Sequence, residues 1–293
     1  MKVLITGSSG QVGRCLVEQL TEMKEAKFLA LDRKALDITD ESAVNKIVSS
    51  FLPDVIINSA AYTAVDRAEE EVELTYAINR DGPANLAKAA DKVGAAILHI
   101  STDYVFAGNK HGEYIETDDT APQSVYGKSK LAGEHAVAKA CKRHIILRTA
   151  WVFSEHGSNF VKTMLHVAET RDSLGIVADQ FGGPTYAGDI AKALISIARS
   201  ITSNNKICFG IYHFSGLPHV SWYEFSKKIF DEAMQQGVLN KTIKVNSIST
   251  LDYPTPAKRP ENSKLNNKKI QTQFGIEPSD WQSALKNLKA YTS

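Results

Sequence analysis

Short runs of consecutive apolar residues alternate with longer helical patterns through the first half of this sequence. The runs lie at residues 3–6, 28–31, 55–58, 96–101 and 145–149, and helical patterns at 11–22, 40–51, 74–92 and 125–140 separate them. Each run is apolar in succession rather than on alternate residues, which is typical of strands that helices cover on both faces. The pattern predicts an α/β fold with a doubly wound, Rossmann-type parallel sheet in residues 1–150.

A glycine-rich loop lies between the first predicted strand and the first predicted helix. Gly7, Gly10 and Gly13 have the spacing that permits a tight turn, close approach of backbone amides to a pyrophosphate, and close packing of the helix. The N–H groups and the dipole at the start of a helix favour an anion. Three spaced glycines alone are weak evidence for a ligand site. With a predicted strand before them and a predicted helix after them, they predict dinucleotide binding.

An acidic residue ends the second predicted strand, about twenty residues beyond the loop. The Asp32 carboxylate is placed to accept hydrogen bonds from the adenosine ribose, which favours NAD, or else to cap a turn. Arg33 and Lys34 follow it, and these cations suit a ribose 2′-phosphate. The sequence therefore predicts either NADPH or NADH as cofactor.

The alternation breaks after Thr149, where glycines and prolines divide shorter elements. Residues 151–185 and 216–293 are predicted to form a smaller, discontinuous α+β substrate-binding domain over the carboxyl edge of the sheet. A helical pattern at 190–198 and an apolar run at 211–214 indicate that about 186–215 complete the dinucleotide-binding domain.

The composition excludes several classes of partner. The 293 residues carry 34 Lys+Arg and 33 Asp+Glu, so a net charge of +1 gives no reason to expect a nucleic acid or an anionic membrane as ligand. No membrane span or signal peptide is apparent, which predicts a cytoplasmic protein. Cys15, Cys141 and Cys208 lack metal-ligand spacing and are interpreted as small apolar residues.

A tyrosine and a lysine four residues apart are the main candidates for chemistry. Tyr126 and Lys130 would share one face of a helix, where an ammonium can lower the pKa of the phenol by one to three units. Such a tyrosine can protonate a carbonyl oxygen as hydride arrives at the carbon. A second copy of the spacing, Tyr223 and Lys227, lies on an amphipathic pattern and is assigned to packing and solvent.

Thr102 lies at the carboxyl end of the fourth predicted strand, where open α/β sheets bind their ligands. Its hydroxyl can bond both a substrate oxygen and the Tyr126 phenol, so Thr102, Tyr126 and Lys130 are predicted as the reacting set. Ser101 lacks the flanking glycines of a hydrolase nucleophile. His99 is interpreted as a strand residue rather than a metal ligand.

Eight segments resemble the extended short-chain dehydrogenase/reductases and, more narrowly, the dTDP-4-dehydrorhamnose reductase family over essentially the whole chain. The segments, read with their sequences, are 7–13 (GSSGQVG), 58–66 (NSAAYTAVD), 101–106 (STDYVF), 125–134 (VYGKSKLAGE), 148–153 (RTAWVF), 159–164 (NFVKTM), 179–182 (DQFG) and 259–263 (RPENS). The resemblance implies that NAD(P)H reduces the C4 ketone of dTDP-6-deoxy-L-lyxo-4-hexulose, giving dTDP-L-rhamnose for surface polysaccharide.

The resemblance also implies roles for single residues. Gly10, Gln11 and Val12 would meet the cofactor phosphates, Asp32 the ribose, Asp37 and Ile38 the adenine, and Ala61, Tyr62 and Thr63 the nicotinamide side. Tyr126 would be the proton donor, and Lys130 would grip the nicotinamide ribose. Thr102, Asp103 and Trp151 would contact the sugar, although the sequence alone leaves Trp151 open between core packing and a binding wall. Arg259 and Lys162 are either diphosphate contacts or surface charges.

Two positions depart from the family pattern. Tyr62 stands where many relatives carry His, which would alter the nicotinamide contacts. Some members pair through a magnesium site with a carboxylate early in the first helix, where this chain has Arg14 and Cys15. The sequence therefore predicts no structural metal, and a monomer or a homodimer.

Two other functions are compatible with the same segments. An NDP-sugar 4-epimerase shares the loop and the Tyr/Lys pair but returns the hydride within one cycle. A nonenzymatic regulatory subunit, like the relative associated with methionine adenosyltransferase, keeps the fold and tolerates loss of the reacting set. Thr102, Tyr126 and Lys130 are all present here.

Overall fold

The computed structural model describes residues 1–203 and 206–292, so residues 204, 205 and 293 of the predicted domain ranges lie outside it. The strands, in chain order, are β1 (Lys2–Thr6), β2 (Lys27–Leu31), β3 (Val55–Asn58), β4 (Ala96–Thr102), β5 (His144–Thr149), β6 (Val152–Phe153), β7 (Ser173–Val177), β8 (Phe181–Gly182), β9 (Thr185–Tyr186), β10 (Gly210–His213), β11 (Val220–Ser221), β12 (Lys244–Ile248) and β13 (Asn262–Ser263).

The α-helices are α1 (Gln11–Thr21), α2 (Glu41–Phe51), α3 (Val72–Tyr76), α4 (Gly82–Val93), α5 (Val125–Ala140), α6 (Phe160–Thr170), α7 (Ala187–Thr202), α8 (Trp222–Gln235), α9 (Lys268–Phe274) and α10 (Trp281–Ala284). Among the residues that the structure describes, no helix is both long enough and apolar enough to cross a membrane.

Six strands form one parallel sheet in the order β10-β5-β4-β3-β1-β2. One apolar cluster on this sheet includes Leu16 of α1 and Leu194 of α7, and another includes Val44 of α2 and Leu86 of α4. The predicted doubly wound α/β fold is thus confirmed. The strand order reverses between β1 and β3, and such a switch point opens a crevice at the carboxyl ends of the strands.

The helical pattern at 74–92 is not one uniform helix. A π-helical segment, Ala77–Asp81, separates α3 from α4. Pro83 provides the reason, because it has no N–H to donate and its ring crowds the carbonyl four residues earlier. Wider turns of this kind are frequent at functional sites, and this one carries the fully buried Asn79.

The rest of the chain forms small sheets beside the main one, with strand orders β11-β8-β13, β12-β7 and β6-β9. A separate apolar cluster, which includes Phe153, Leu165, Phe225 and Trp281, packs this region. A domain needs an apolar core of its own, and this cluster provides one for the predicted substrate-binding region. The exact domain boundaries stay a prediction.

The cysteines are free thiols, but they do not share one environment. Cys15 and Cys141 are buried, as expected of small apolar residues, whereas Cys208 is exposed. Cys208 therefore does not pack as a small apolar residue would, because it precedes β10 rather than lying in a packed element.

Candidate active site

The glycine loop connects β1 to α1 in a conformation that side chains would disrupt. Gly7 has φ +70°, and a Cβ on it would lie 2.5 Å from the backbone nitrogen of Ala60. A Cβ on Gly13 would lie 2.2 Å from the carbonyl oxygen of Gly7. Both contacts are closer than packed atoms tolerate, so Gly7 and Gly13 perform the turn and packing roles predicted for them.

The start of α1 is open to an anion. Gly10 is the N-cap residue, no side chain caps the helix, and its first turn carries no acidic group. A Cβ on Gly10 would meet only the carbonyl oxygen of Gly7, at 3.3 Å, so its other side faces free space. Unpaired N–H groups beside free space fit a dinucleotide pyrophosphate.

Gln11 and Val12 differ in what they can offer a phosphate. The Gln11 side-chain oxygen accepts hydrogen bonds from Ser154 Oγ at 3.0 Å and Asn159 Nδ2 at 3.1 Å. These bonds connect the loop with the segment after β6. The Val12 side chain is buried in the core, so its backbone is the part that faces the loop.

The predicted adenosine contacts lie just after β2. One Asp32 oxygen accepts the Ala35 N–H at 2.9 Å, so this carboxylate caps a turn, while Arg33 beside it is exposed. Asp37 accepts both the N–H and the hydroxyl of Thr39, and these bonds lower the pKa of its carboxyl. The Ile38 side chain is buried in the core, which leaves only its backbone for an adenine.

The segment 61–63 follows β3 and is held by Asn79. The Asn79 side-chain oxygen accepts the Tyr62 N–H at 2.8 Å, and its amide donates to the Tyr62 carbonyl at 3.1 Å and to Ser129 Oγ at 3.0 Å. The Tyr62 hydroxyl donates to Glu71 at 2.5 Å. Ala61 and Tyr62 are partly exposed and Thr63 is exposed. Sequence reasoning missed Asn79. The available sign was a polar amide side chain at a buried position of the helical pattern at 74–92.

Thr102 ends β4 as predicted, and a chain of hydrogen bonds fixes its hydroxyl. Thr102 Oγ1 donates to Asp103 at 2.9 Å, and the other Asp103 oxygen accepts a short hydrogen bond from the Ser263 hydroxyl. Asp103 is 3% exposed, and burial raises the pKa of its carboxyl to about 6 despite these two bonds. Ser263 lies in the 259–263 segment, but its sequence position gave no sign of this contact.

Tyr126 lies in the first turn of α5, 9% exposed, and its hydroxyl is hydrogen-bonded to Thr102. Burial raises the pKa of this phenol, and the bond to Thr102 opposes that effect. Lys130 is not among the groups that shift it. The predicted lowering of the Tyr126 pKa is therefore wrong for this structure, since loss of water outweighs the favourable contacts.

Lys130 lies one turn further along α5, beneath the end of β4. Its Nζ donates to the carbonyl oxygen of Ile100 at 2.6 Å, and it is 2% exposed. Burial lowers the pKa of its ammonium to about 8, while Glu134 opposes that shift. At pH 7 Lys130 is mainly protonated, and its charge lies beside the end of the strand that carries Thr102.

Trp151 follows β5 in a left-handed backbone conformation, with φ +49°. Such a conformation is rare for a bulky residue and marks strain at a site. Its ring stacks on Trp222 with centroids 3.5 Å apart, and Gly182 leaves room for it, since a Cβ there would lie 2.6 Å from the indole. Trp222, the first residue of α8, therefore supports Trp151.

The remaining candidates are placed as follows. Arg259 donates to Asp66 at 2.6 Å and to the Tyr104 hydroxyl, whose ring packs edge-on against Tyr126. Lys162 donates to the Glu155 carbonyl.

Three sites that were interpreted as non-catalytic make contacts of a structural kind. Lys227 is exposed on α8 and lies over the ring of Tyr223, which packs against the apolar cluster of the smaller region. His99 pairs with Asn58 inside the sheet, and the Ser101 hydroxyl donates to Glu134.

The parallel sheet, the open glycine loop and the Thr102/Tyr126/Lys130 set together define the class of short-chain dehydrogenases/reductases. Residues 1–292 match the family model described as RmlD substrate binding domain. The chain belongs to this family.

Relatives with this kind of name are similar to this chain over nearly their full length. A dTDP-4-dehydrorhamnose reductase of Aggregatibacter actinomycetemcomitans is 56% identical over 290 residues, covering 99% of both chains. The crystal structure of a dTDP-4-dehydrorhamnose reductase from Clostridium acetobutylicum has a TM-score of 0.90 and 41% identity, covering 98% of this chain and 97% of that one. The corresponding Bacillus anthracis protein, in complex with NADP, has a TM-score of 0.88 and 37% identity, covering 97% of each.

Proposed function

We propose that this chain reduces the C4 ketone of dTDP-6-deoxy-L-lyxo-4-hexulose to dTDP-L-rhamnose with NADPH or NADH. The convergence of Thr102, Tyr126 and Lys130 at the carboxyl edge of the sheet carries this proposal. The names of the relatives supply the sugar nucleotide, and the NADP complex of the Bacillus anthracis protein supports the cofactor.

Tyr126 is the proton donor in this proposal. Its raised pKa keeps the phenol protonated near neutral pH, which is the form that a reduction needs. Thr102 donates to Asp103 and accepts the Tyr104 N–H, so the hydroxyl that is bonded to the phenol is fixed before substrate arrives. The alkoxide that forms at C4 is a stronger base than a phenolate, and the proton therefore moves from Tyr126 to the sugar.

Bound NADPH or NADH supplies the hydride. Gly7, Gly10, Gln11, Val12 and Gly13 would hold its phosphates, Asp32 and Arg33 its adenosine ribose, Asp37 and Ile38 its adenine, and Ala61, Tyr62 and Thr63 its nicotinamide side. Lys130 would hold the nicotinamide ribose together with Tyr126, and its Nζ is fixed for this by the Ile100 carbonyl at the end of β4.

Trp151 and Asp103 would contact the sugar beside Thr102. Trp151 offers a strained, stacked ring, and Asp103 offers a buried carboxyl next to the reacting hydroxyls. We propose a cytoplasmic location, because Cys15, Cys141 and Cys208 are free thiols that a reducing compartment preserves. A monomer or a homodimer is the proposed assembly.

One assay tests the reaction and separates it from the other two functions. Purified protein receives the 4-keto sugar nucleotide with NADPH or NADH, and the absorbance of reduced nicotinamide is followed. We expect one cofactor oxidised per sugar reduced. Turnover without net oxidation would instead support a 4-epimerase, and cofactor binding without any turnover would support a regulatory subunit.

A further inference from the structure

A cluster of potential metal ligands lies between α1 and the loop after β6, and it contains none of Thr102, Tyr126 and Lys130. Cys15, Glu18, Glu155 and His156 each place one donor atom so that all four atoms lie within 4.8 Å of one another. Cys15 and Glu18 are three residues apart on α1 and so share a face. Glu155 and His156 are consecutive residues in the loop after β6. Two distant parts of the chain thus bring four donors together.

The imidazole of this cluster directs one nitrogen toward two carboxylates. His156 Nε2 is a buried atom that makes no hydrogen bond of good geometry. It lies 3.0 Å from Glu18 Oε1 and 3.8 Å from Glu155 Oε1, so these carboxylates are its charged neighbours. A cation bound between the three side chains would join these same atoms.

The donor types select the ion. Thiolate, imidazole and carboxylate are the ligands of Zn²⁺, whereas Mg²⁺ takes oxygen ligands and several waters. A magnesium site of the kind implied for some family members therefore does not fit Cys15. We propose that Cys15, Glu18, Glu155 and His156 form a Zn²⁺ site that joins α1 to the loop after β6.

The present geometry is close to what four-coordinate zinc requires. Ligand bonds of about 2.0–2.3 Å place tetrahedral donors about 3.5 Å apart, so the atoms need to approach by about 1 Å. Cys15 is 2% exposed and forms the inner wall. The Glu18 side chain is 58% exposed and gives the ion access from solvent.

Two further contacts suit a cation at this place. The Tyr186 hydroxyl bonds both oxygens of Glu155 at 3.1 Å, which orients that carboxylate as outer partners of metal ligands do. A divalent cation would offset the charge of the two carboxylates, Glu18 and Glu155, that lie together here.

The proposed ion would act on structure rather than on the reaction. Gln11, one turn before Cys15, already bonds Ser154 and Asn159, so the same two segments meet at two neighbouring points. A zinc bond across them would fix the glycine loop against the loop after β6. The expectation of no structural metal rested on Arg14 and Cys15 standing where some relatives have a carboxylate, and on the lack of ligand spacing among the cysteines. Neither observation can relate residues 15 and 155.

Metal analysis of the full chain tests the proposal. Protein freed of metal by chelation is incubated with zinc alone and desalted, and its zinc content and melting temperature are measured. We expect one zinc per chain and a higher melting temperature. Replacing zinc by cobalt should produce a sulfur-to-cobalt charge-transfer band.

Matched variants decide which side chains are ligands. Cys15→Ser and His156→Gln should each lower zinc affinity at least about 100-fold, since even outer partners of a ligand contribute 10–100-fold. Cys208→Ser and His166→Gln change exposed residues and should bind zinc like the parent chain. His156→Gln alters a loop residue and decides the question should Cys15→Ser unfold. Absence of stoichiometric zinc, or equal zinc binding by His156→Gln, would overturn the proposal.

Discussion

Arg148 on β5 forms a two-pronged ion pair with Glu134 on α5, and the two side chains are 2% and 1% exposed. Arg148 Nε donates to Oε1 at 2.9 Å and Nη2 donates to Oε2 at 2.7 Å. The Ser101 hydroxyl donates to the same carboxylate at 2.5 Å. Glu134 lies one turn after Lys130, and Ser101 directly precedes Thr102, so this pair fixes the helix and the strand that carry the reacting set.

Removing one charge of this pair should destabilise the protein strongly. Glu134→Gln leaves the Arg148 guanidinium buried and unpaired, and we expect a loss of about 3–5 kcal/mol in the free energy of unfolding by urea. The double variant Glu134→Gln/Arg148→Met should recover most of it. Glu41→Gln, which breaks an exposed pair with Lys88, should cost under about 1 kcal/mol. Equal losses in both single variants would contradict this account.

Removing the Tyr126 hydroxyl should stop proton donation while leaving the fold intact. Tyr126→Phe is expected to lower turnover about 100-fold or more, because a positioned acid contributes about that much. Affinity for NADPH, measured by fluorescence titration, should change little. Tyr223→Phe alters the other tyrosine of the same spacing and serves as control. A variant at position 126 with unchanged turnover would exclude this tyrosine from the mechanism.

Two glycines of the loop should respond differently to alanine. Gly10→Ala has room inside the protein, so its unfolding free energy should stay within about 1 kcal/mol of the parent, whereas NADPH affinity should fall at least about tenfold as the methyl meets the pyrophosphate. Gly13→Ala forces a Cβ to 2.2 Å from the Gly7 carbonyl and should lower both stability and affinity. Calorimetry and cofactor titration measure the two effects. Normal affinity in Gly10→Ala would argue against the assigned phosphate site.

The stacked indoles should affect the sugar nucleotide rather than the cofactor. Trp222→Ala removes the ring beneath Trp151, and an aromatic pair is worth about 0.5–1.5 kcal/mol, so KM for the sugar nucleotide should rise about 3–10-fold. Trp222→Phe should retain most of the parent KM. Initial-rate kinetics at saturating NADPH provide the comparison, and a change confined to cofactor binding would refute the assignment.

Asp103 should make stability depend on pH in a defined direction. Its pKa is about 6 in the folded chain against an ordinary 3.8, so between these values the folded state holds more protons than the unfolded state. Stability contributed by this group is therefore present below about pH 4 and is lost as pH rises to about 6, by about 3 kcal/mol. Urea unfolding of the parent and of Asp103→Asn from pH 4 to 7 isolates the effect. A difference between them that does not vary with pH would contradict the shifted pKa.

The sheet could be predicted closely from sequence because its signals are local. Residues 55–58 and 125–140 have the predicted limits, and the other strands of the main sheet differ by one residue at one or both ends. A covered parallel strand must be apolar on both faces, and a glycine turn needs its glycines wherever it occurs. Thr102, Tyr126 and Lys130 could be proposed for the same reason, since a strand end and a four-residue spacing are visible in the chain.

The tertiary structure alone decided the environment of these residues. Ser263 reaches Asp103 across 160 positions, and Glu155 and His156 reach Cys15 across about 140, so neither contact has a local pattern. The Tyr126 pKa was misjudged because the spacing supplies a neighbouring lysine but not the depth of burial. The amino-acid sequence by itself therefore determined the strands, the helices and the groups that we propose to react. Their hydration and long-range partners arise only when distant segments pack, and these set how each group titrates and what it binds.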